Sequence, residues 1–151
     1  MLANNYLKPR EDANYVITYC VDDLYDGNVE AFITRLTSFF ASIPYSMRRK
    51  EDEREKERYF HYTFYLLLRL LSTYVTYTEK QQSNGMVDCI VETDKFVYNF
   101  EFKLDGTAEE ALKQIEDEGY ATEYATDSRK LFKVGVNFSS ETGTVGDWKV
   151  L

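Results

Sequence analysis

Residues 86–104 read MVDCIVETDKFVYNFEFKL, and the way this stretch folds back on itself decides the architecture. In an extended chain successive side chains alternate faces. Tyr98, Phe100, Phe102 and Leu104 therefore share one face, while Asn99, Glu101 and Lys103 share the other. A short polar turn between two apolar runs predicts a hairpin. With Asp94 and Lys95 as a two-residue turn, Thr93 faces Phe96, Val91 faces Tyr98, Cys89 faces Phe100 and Val87 faces Phe102, which collects the apolar residues on one face. The same register sets Asp88 across from Glu101 and Met86 across from Lys103. A three-residue turn would place Asp88 opposite Phe100 and mix the faces, which burial disfavours. Asp-Lys is not the Asn-Gly of tight hairpins, so this register rests on face matching more than on turn chemistry.

Directly opposed cross-strand positions have Cβ atoms roughly 4.5–5.5 Å apart, and like charges there repel. Two carboxylates so placed call for a cation between them. Lys103 supplies part of that charge, and a divalent ion with oxygen ligands could supply the rest while orienting and activating water. The polar face is either such a metal-and-water site on an aromatic base or the exposed side of an edge strand. Asp88, which interrupts an otherwise apolar strand, speaks for the first.

Outward from the hairpin, the pattern predicts helices before the strands and a helix with further strands after them. Val29, Phe32, Ile33, Leu36, Phe39, Phe40 and Ile43 fit helical spacing, with Asn28 as N-cap and Pro44 as the stop. The mixed-charge run RRKEDEREKER at 48–58 opens a second helix that continues through YFHYTFYLLLRLLSTYV and is apolar on most sides. Before Asn28, NYVITYCV suits either a short strand or the start of a helix. VTYTEK, from Val75, adds a strand ahead of the hairpin, giving a three-stranded antiparallel meander. Thr107 with Glu110 three residues later opens a helix as a capping box, its packing side formed by Ala108, Ala111, Leu112 and Ile115, and Gly119 ends or bends it. KLFKVGVNFS is a further strand and DWKVL a candidate last one. The expected class is α/β (α+β): helix, three-stranded meander, helix and further strands, in a mixed central sheet flanked by helices.

Composition narrows the function classes. The 151 residues suffice for one core, and thirteen Tyr with ten Phe argue against disorder. A single histidine, His61, excludes a histidine-rich metal site, so any metal is held mainly by oxygen. Cys20 and Cys89 sit in no CxxC spacing, which predicts free thiols and a cytoplasmic setting. No signal pattern opens the chain, and the apolar run FYLLL is too short for a bilayer, so no membrane partner is expected. A net charge of −8 weighs against an unaided grip on nucleic acid.

An Asp on one strand and E-x-K on the next, after one helix and before another, resembles the PD-(D/E)XK nuclease superfamily. Within it the sequence is similar to the nuclease-like domain at the C-terminal end of bacterial proteins whose N-terminal part resembles an AAA-ATPase. FFASIPY, FYLLLRLL, residues 84–121 and KVGVNFSSETGTVGDW carry the likeness over most of residues 28 to 148. The resemblance implies a restriction-endonuclease-like core and hydrolysis of nucleic acid, DNA foremost, by metal-activated water. It implies Asp88 and Glu101 as ligands of Mg2+ or Mn2+, with Lys103 positioning water and stabilising the developing phosphorane. Glu79 is the best match for a third acidic ligand, with Glu57 a second candidate, and Gln114 and Tyr120 are possible accessory contacts. By the same likeness, residues 1–50 form an extension joining an ATPase-like domain of the same chain, and residues 51–151 form the nuclease-like domain. One departure is Met86, where that subgroup carries Arg, which opens the alternative of an inactive nuclease fold serving as an interaction or regulatory module. Oligomeric state is not legible.

Overall fold

The computed structural model describes residues 13–43, 53–72, 75–79 and 87–151, and within its elements the side chains of 13–17, 53, 54, 57, 61, 76–79, 87, 88, 120 and 121 lie outside the description. Two helices come first, α1 (Ala13–Tyr25) and α2 (Val29–Ser42), followed by α3 (Glu53–Leu71). Strands β1 (Thr76–Glu79), β2 (Val87–Glu92) and β3 (Phe96–Leu104) precede helix α4 (Ala108–Glu118) and a short 3-10 turn (Tyr120–Tyr124). Strands β4 (Lys130–Ser139) and β5 (Thr144–Val150) complete the order. The sheet runs β1-β2-β3-β4-β5, antiparallel throughout except for the parallel β3/β4 pair. This is a mixed α+β fold with helices on the sheet, compatible with a restriction-endonuclease-like core.

The hairpin takes the register that keeps its apolar residues together. Val87 pairs with Phe102, Asp88 with Glu101, Cys89 with Phe100 and Val91 with Tyr98. At its tip Thr93 N donates to Phe96 O at 2.9 Å, and Phe96 N donates to Thr93 Oγ1 at 3.0 Å. The threonine hydroxyl thus completes a turn that Asp94 and Lys95 do not favour on their own.

One face of the sheet is an aromatic core. Phe100, Phe102 and Phe138 stack in sequence, and Phe32, Phe40, Phe60 and Phe64 reach them from α2 and α3. Each fully buried Phe contributes roughly 1.5–3 kcal/mol by leaving water. The segment before Asn28 is helical: Cys20, Val21 and Leu24 of α1 are buried in the same core, and the Tyr98 hydroxyl donates to Leu24 O at 2.6 Å. Asn28 caps α2 by accepting from Ala31 N at 3.0 Å. Pro44 lies outside the described residues. Both cysteines are free and buried. Among the described residues no helix is long and apolar enough to cross a membrane.

Helix α4 covers the other face as the crossover that parallel β3 and β4 require. Its start is fixed by several bonds. Thr107 Oγ1 accepts from Glu110 N at 3.1 Å, and Asp147 Oδ2 of β5 accepts from Ala108 N at 2.9 Å. The chain turns into the helix through Asp105, whose φ of 53° is unusual for a non-glycine and whose carboxylate accepts from Ser140 N and Oγ at 2.8 and 2.6 Å. Gly135, paired with Glu101 across β3/β4, lets the helix approach. A Cβ there would stand 2.5 Å from Ala108 O and 3.0 Å from Leu112 N, both backbone atoms. At the other end Gly119 adopts φ 70° and closes the helix.

Gly135→Ala is therefore expected to destabilise the fold by about 1–3 kcal/mol, the cost of forcing volume into a packed layer. Gly119→Ala, where nothing lies within 4 Å, bears only the left-handed strain of about 1–2 kcal/mol. Urea unfolding midpoints of the two variants check the first value and whether Gly135→Ala is the costlier.

Candidate metal centre on the second strand of the hairpin

The face of β3 under α4 carries the polar series. Lys103 Nζ donates to Gln114 Oε1 of α4, so the Lys103 side of the strand is the helix side. Alternation then puts Glu101 and Asn99 on that face as well. The polar side of β3 is thus the floor of a buried layer, not the exposed surface of an edge strand: Glu101 is 0 % exposed and Asn99 1 %.

Glu101 is the unusual group. Neither carboxylate oxygen has a hydrogen-bond partner among the described residues. The Lys103 ammonium stands 3.7 Å from Oε1, an ion pair beyond hydrogen-bond reach. Burial pushes the Glu101 carboxyl from its ordinary 4.5 up to about 8; Lys103 opposes the shift and Glu118 adds to it. A buried carboxylate that accepts no hydrogen bond lacks what normally offsets its desolvation.

Lys103 is held from above. Its ammonium donates to Gln114, and Gln114 Nε2 in turn donates to Glu118 Oε1 at 3.1 Å. Gln114 is half-buried on α4 between the buried Leu112 and Ile115. Helix and strand thereby fix where the positive charge sits.

Asp88 occupies the register position directly opposite Glu101. Glu79 pairs with Cys89, the residue after Asp88, one strand further out. Tyr120 begins the 3-10 turn after Gly119. The side chains of Glu79, Asp88, Tyr120, Glu57 and His61 lie outside the described residues, as does Met86 entirely. Among the described residues no three His, Cys, Asp or Glu side chains gather as a metal cage. The structure brings together Glu101, Lys103 and Gln114 by their atoms, and Asp88 with Glu101 by backbone register. Glu118 escaped the sequence reading, although its i,i+4 spacing from Gln114 carried a signal; Asn99 was placed on this face by its alternation with Glu101 but given no role.

The donor set suits a hard divalent cation. Glu101 offers two unbonded oxygens, and the adjoining strand position is another carboxylate, both ligand types that magnesium and manganese take.

The sign of the Glu101 shift fixes a pH dependence. A carboxyl whose folded value exceeds its unfolded value holds more protons when folded, so its burial costs little below about pH 4.5 and increasingly more as pH rises to about 8. In a chelator, Glu101→Gln should melt close to wild type near the acid end of that window and above it at the alkaline end. The expected gap is at least about 1 kcal/mol, about 2–4 °C for a chain of this size. Thermal melts followed by circular dichroism across the window check it, and a gap that does not widen with pH contradicts it.

The comparisons with known proteins agree with this geometry. The sequence model of the PD-(D/E)XK nuclease superfamily matches residues 55–148. A protein of Azotobacter chroococcum mcd 1, named as the uncharacterized protein in the vnfD 5′ region, is 35% identical over 114 residues, which is 74% of this chain and 22% of that protein. The chain thus spans about a fifth of that relative's length. No solved structure matches. The superfamily match runs from the first turn of α3, through the hairpin and α4, into β5, and the chain belongs to the PD-(D/E)XK nuclease superfamily.

Proposed function

We propose that this chain is a divalent-metal-dependent nuclease domain that hydrolyses phosphodiester bonds of nucleic acid, with DNA the favoured substrate. The observation that supports it is the Glu101 carboxylate, fully buried with neither oxygen hydrogen-bonded among the described residues, beside Lys103 and opposite Asp88 in the strand register. Asp88 and Glu101 are the residues that would hold Mg2+ or Mn2+, with Glu79 a third. The ion would polarise a phosphoryl oxygen and lower the pKa of water at neutral pH.

The remaining roles belong to the chain itself. Lys103 offers a fixed positive charge to the scissile phosphate and to the charge that grows on it as the bond breaks. A donor already oriented does this without reorganising during the reaction. Gln114 keeps the ammonium from swinging away, and Glu118 keeps Gln114 from turning its amide. Bonded to Lys103 on one side and to Glu118 on the other, Gln114 acts on Lys103 more directly than on substrate. Tyr120, just past the helix end, remains the accessory contact suggested by the family likeness.

A second reading has its own support. The net charge is −8, and Met86 takes the sequence position at which the subgroup it resembles carries Arg. Under that reading the fold is an interaction or regulatory module without turnover. The 22% coverage of the longer Azotobacter relative fits either reading, with an ATPase-like neighbour in the same polypeptide supplying the nucleic-acid affinity that this acidic chain lacks.

Nicking of supercoiled plasmid in magnesium or manganese decides between the two. Wild type should convert the plasmid, while Lys103→Ala and Asp88→Asn should each lose about 10²–10³-fold in rate, the range for removing one group that stabilises developing charge. Absence of cleavage of plasmid and of RNA, in both metals, favours the module.

A further inference from the structure

Strand β3 carries a second buried polar side chain for which the nuclease reading has no use. Asn99 is 1 % exposed, two residues before Glu101 and about 7 Å from it along the strand, on the same face under α4. Its amide oxygen has no hydrogen-bond partner among the described residues. Its neighbours across the sheet are Ile90 and Lys133, and the Lys133 ammonium is engaged with Glu116 at 2.6 Å. A buried amide normally finds a partner, and one that does not implies water or an ion at that place. Leucine has the same branched shape and would fill the position without desolvating a polar group.

Three acceptor oxygens, two from Glu101 and one from Asn99, thus lie in one buried layer with no protein donor at hydrogen-bond distance among the described residues. Small divalent cations shed their water reluctantly and keep several water ligands when bound. Those waters carry protons that need acceptors, and the residues that accept them govern affinity as much as orientation. We infer that Asn99 is a positioning residue of the cation site, its amide oxygen accepting a hydrogen bond from a water carried by the ion that Glu101 holds. This rests on the metal-dependent reading above. It adds a residue outside the Asp and E-x-K pattern, and it gives Asn99 the same missing partner as Glu101.

The inference has a signature that a purely structural asparagine lacks. An amide bonded within the fold would stabilise it, whereas an amide waiting for a hydrated ion costs stability until the ion arrives. The experiment titrates magnesium chloride, and separately manganese chloride, against wild type, Asn99→Leu, Asn99→Asp and Glu101→Gln, read by thermal shift and calorimetry. Asn99→Leu should melt above wild type in chelator yet need about 10–100-fold more metal for half-maximal stabilisation. Asn99→Asp keeps an oxygen in place and should show a metal-induced shift at least as large as wild type. An Asn99→Leu protein that melts below wild type in chelator, or fails to fold, overturns the inference, because the amide is then bonded within the fold. If Asn99→Leu titrates like wild type while Glu101→Gln loses the shift, Asn99 has no part in the site and the metal reading stands. No shift in wild type with either metal overturns both.

Discussion

A carboxylate without exposure, and without a hydrogen bond among the described residues, is the constraint around which this fold is arranged. Glu101 sits near the end of the β2/β3 pairing away from the turn, between a sheet and a helix, and the Lys103 ammonium beside it is too far away to bond it. Because folded domains are stable by only about 5–15 kcal/mol, such a group is a substantial liability. Replacing it with an amide or an apolar residue would relieve the strain on folding. A buried, raised-pKa acid beside a fixed cation is what a site for a doubly charged ligand needs before the ligand is present.

The surrounding structure is rigid where that site needs it. The aromatic stack on one side of the sheet gives β3 an incompressible floor, so the polar residues on the other side cannot retreat into the core. On that side α4 is fastened at both ends, by Thr107 and Asp147 at its start and by the left-handed Gly119 at its close. Gly135 permits the helix to lie so close to β4 that Gln114 meets Lys103. A helix one methyl group further out would leave the ammonium without its anchor. The hydrogen-bonded line Lys103–Gln114–Glu118 then carries order from helix to strand.

Much of this was legible in the sequence, for reasons specific to particular residues. The Asp88–Glu101 pairing could be read because a register slipped by one residue mixes the apolar and polar faces. Asn28, Thr107 and Gly119 declared their helix ends through side-chain and backbone chemistry that acts locally. What acts at a distance was not readable. The β-branched run Val16-Ile17-Thr18 suits a strand as well as a helix, and only the docking of Cys20 and Leu24 on the aromatic core settles it as α1. The polar face of β3 looked as though it could be solvated because nothing in VYNFEFKL says that α4 returns across it. The parallel β3/β4 pairing, and with it the position of Gly135 beside Glu101, depends on which edge the crossover reaches. For the same reason Asn99 reads as an ordinary polar residue until its burial is seen.

Family membership says what such a scaffold has been used for, and the geometry says which atoms in this chain are prepared for it. The account stands or falls on a cation reaching the Glu101 carboxylate. Crystals of the protein grown with manganese, with an anomalous difference map calculated at the manganese edge, address this most directly. The account predicts a peak in the layer between β3 and α4, within coordination distance of Glu101 and on the side of Asp88. A map with no peak there, with Glu101 protonated and closed over by its neighbours, would contradict it.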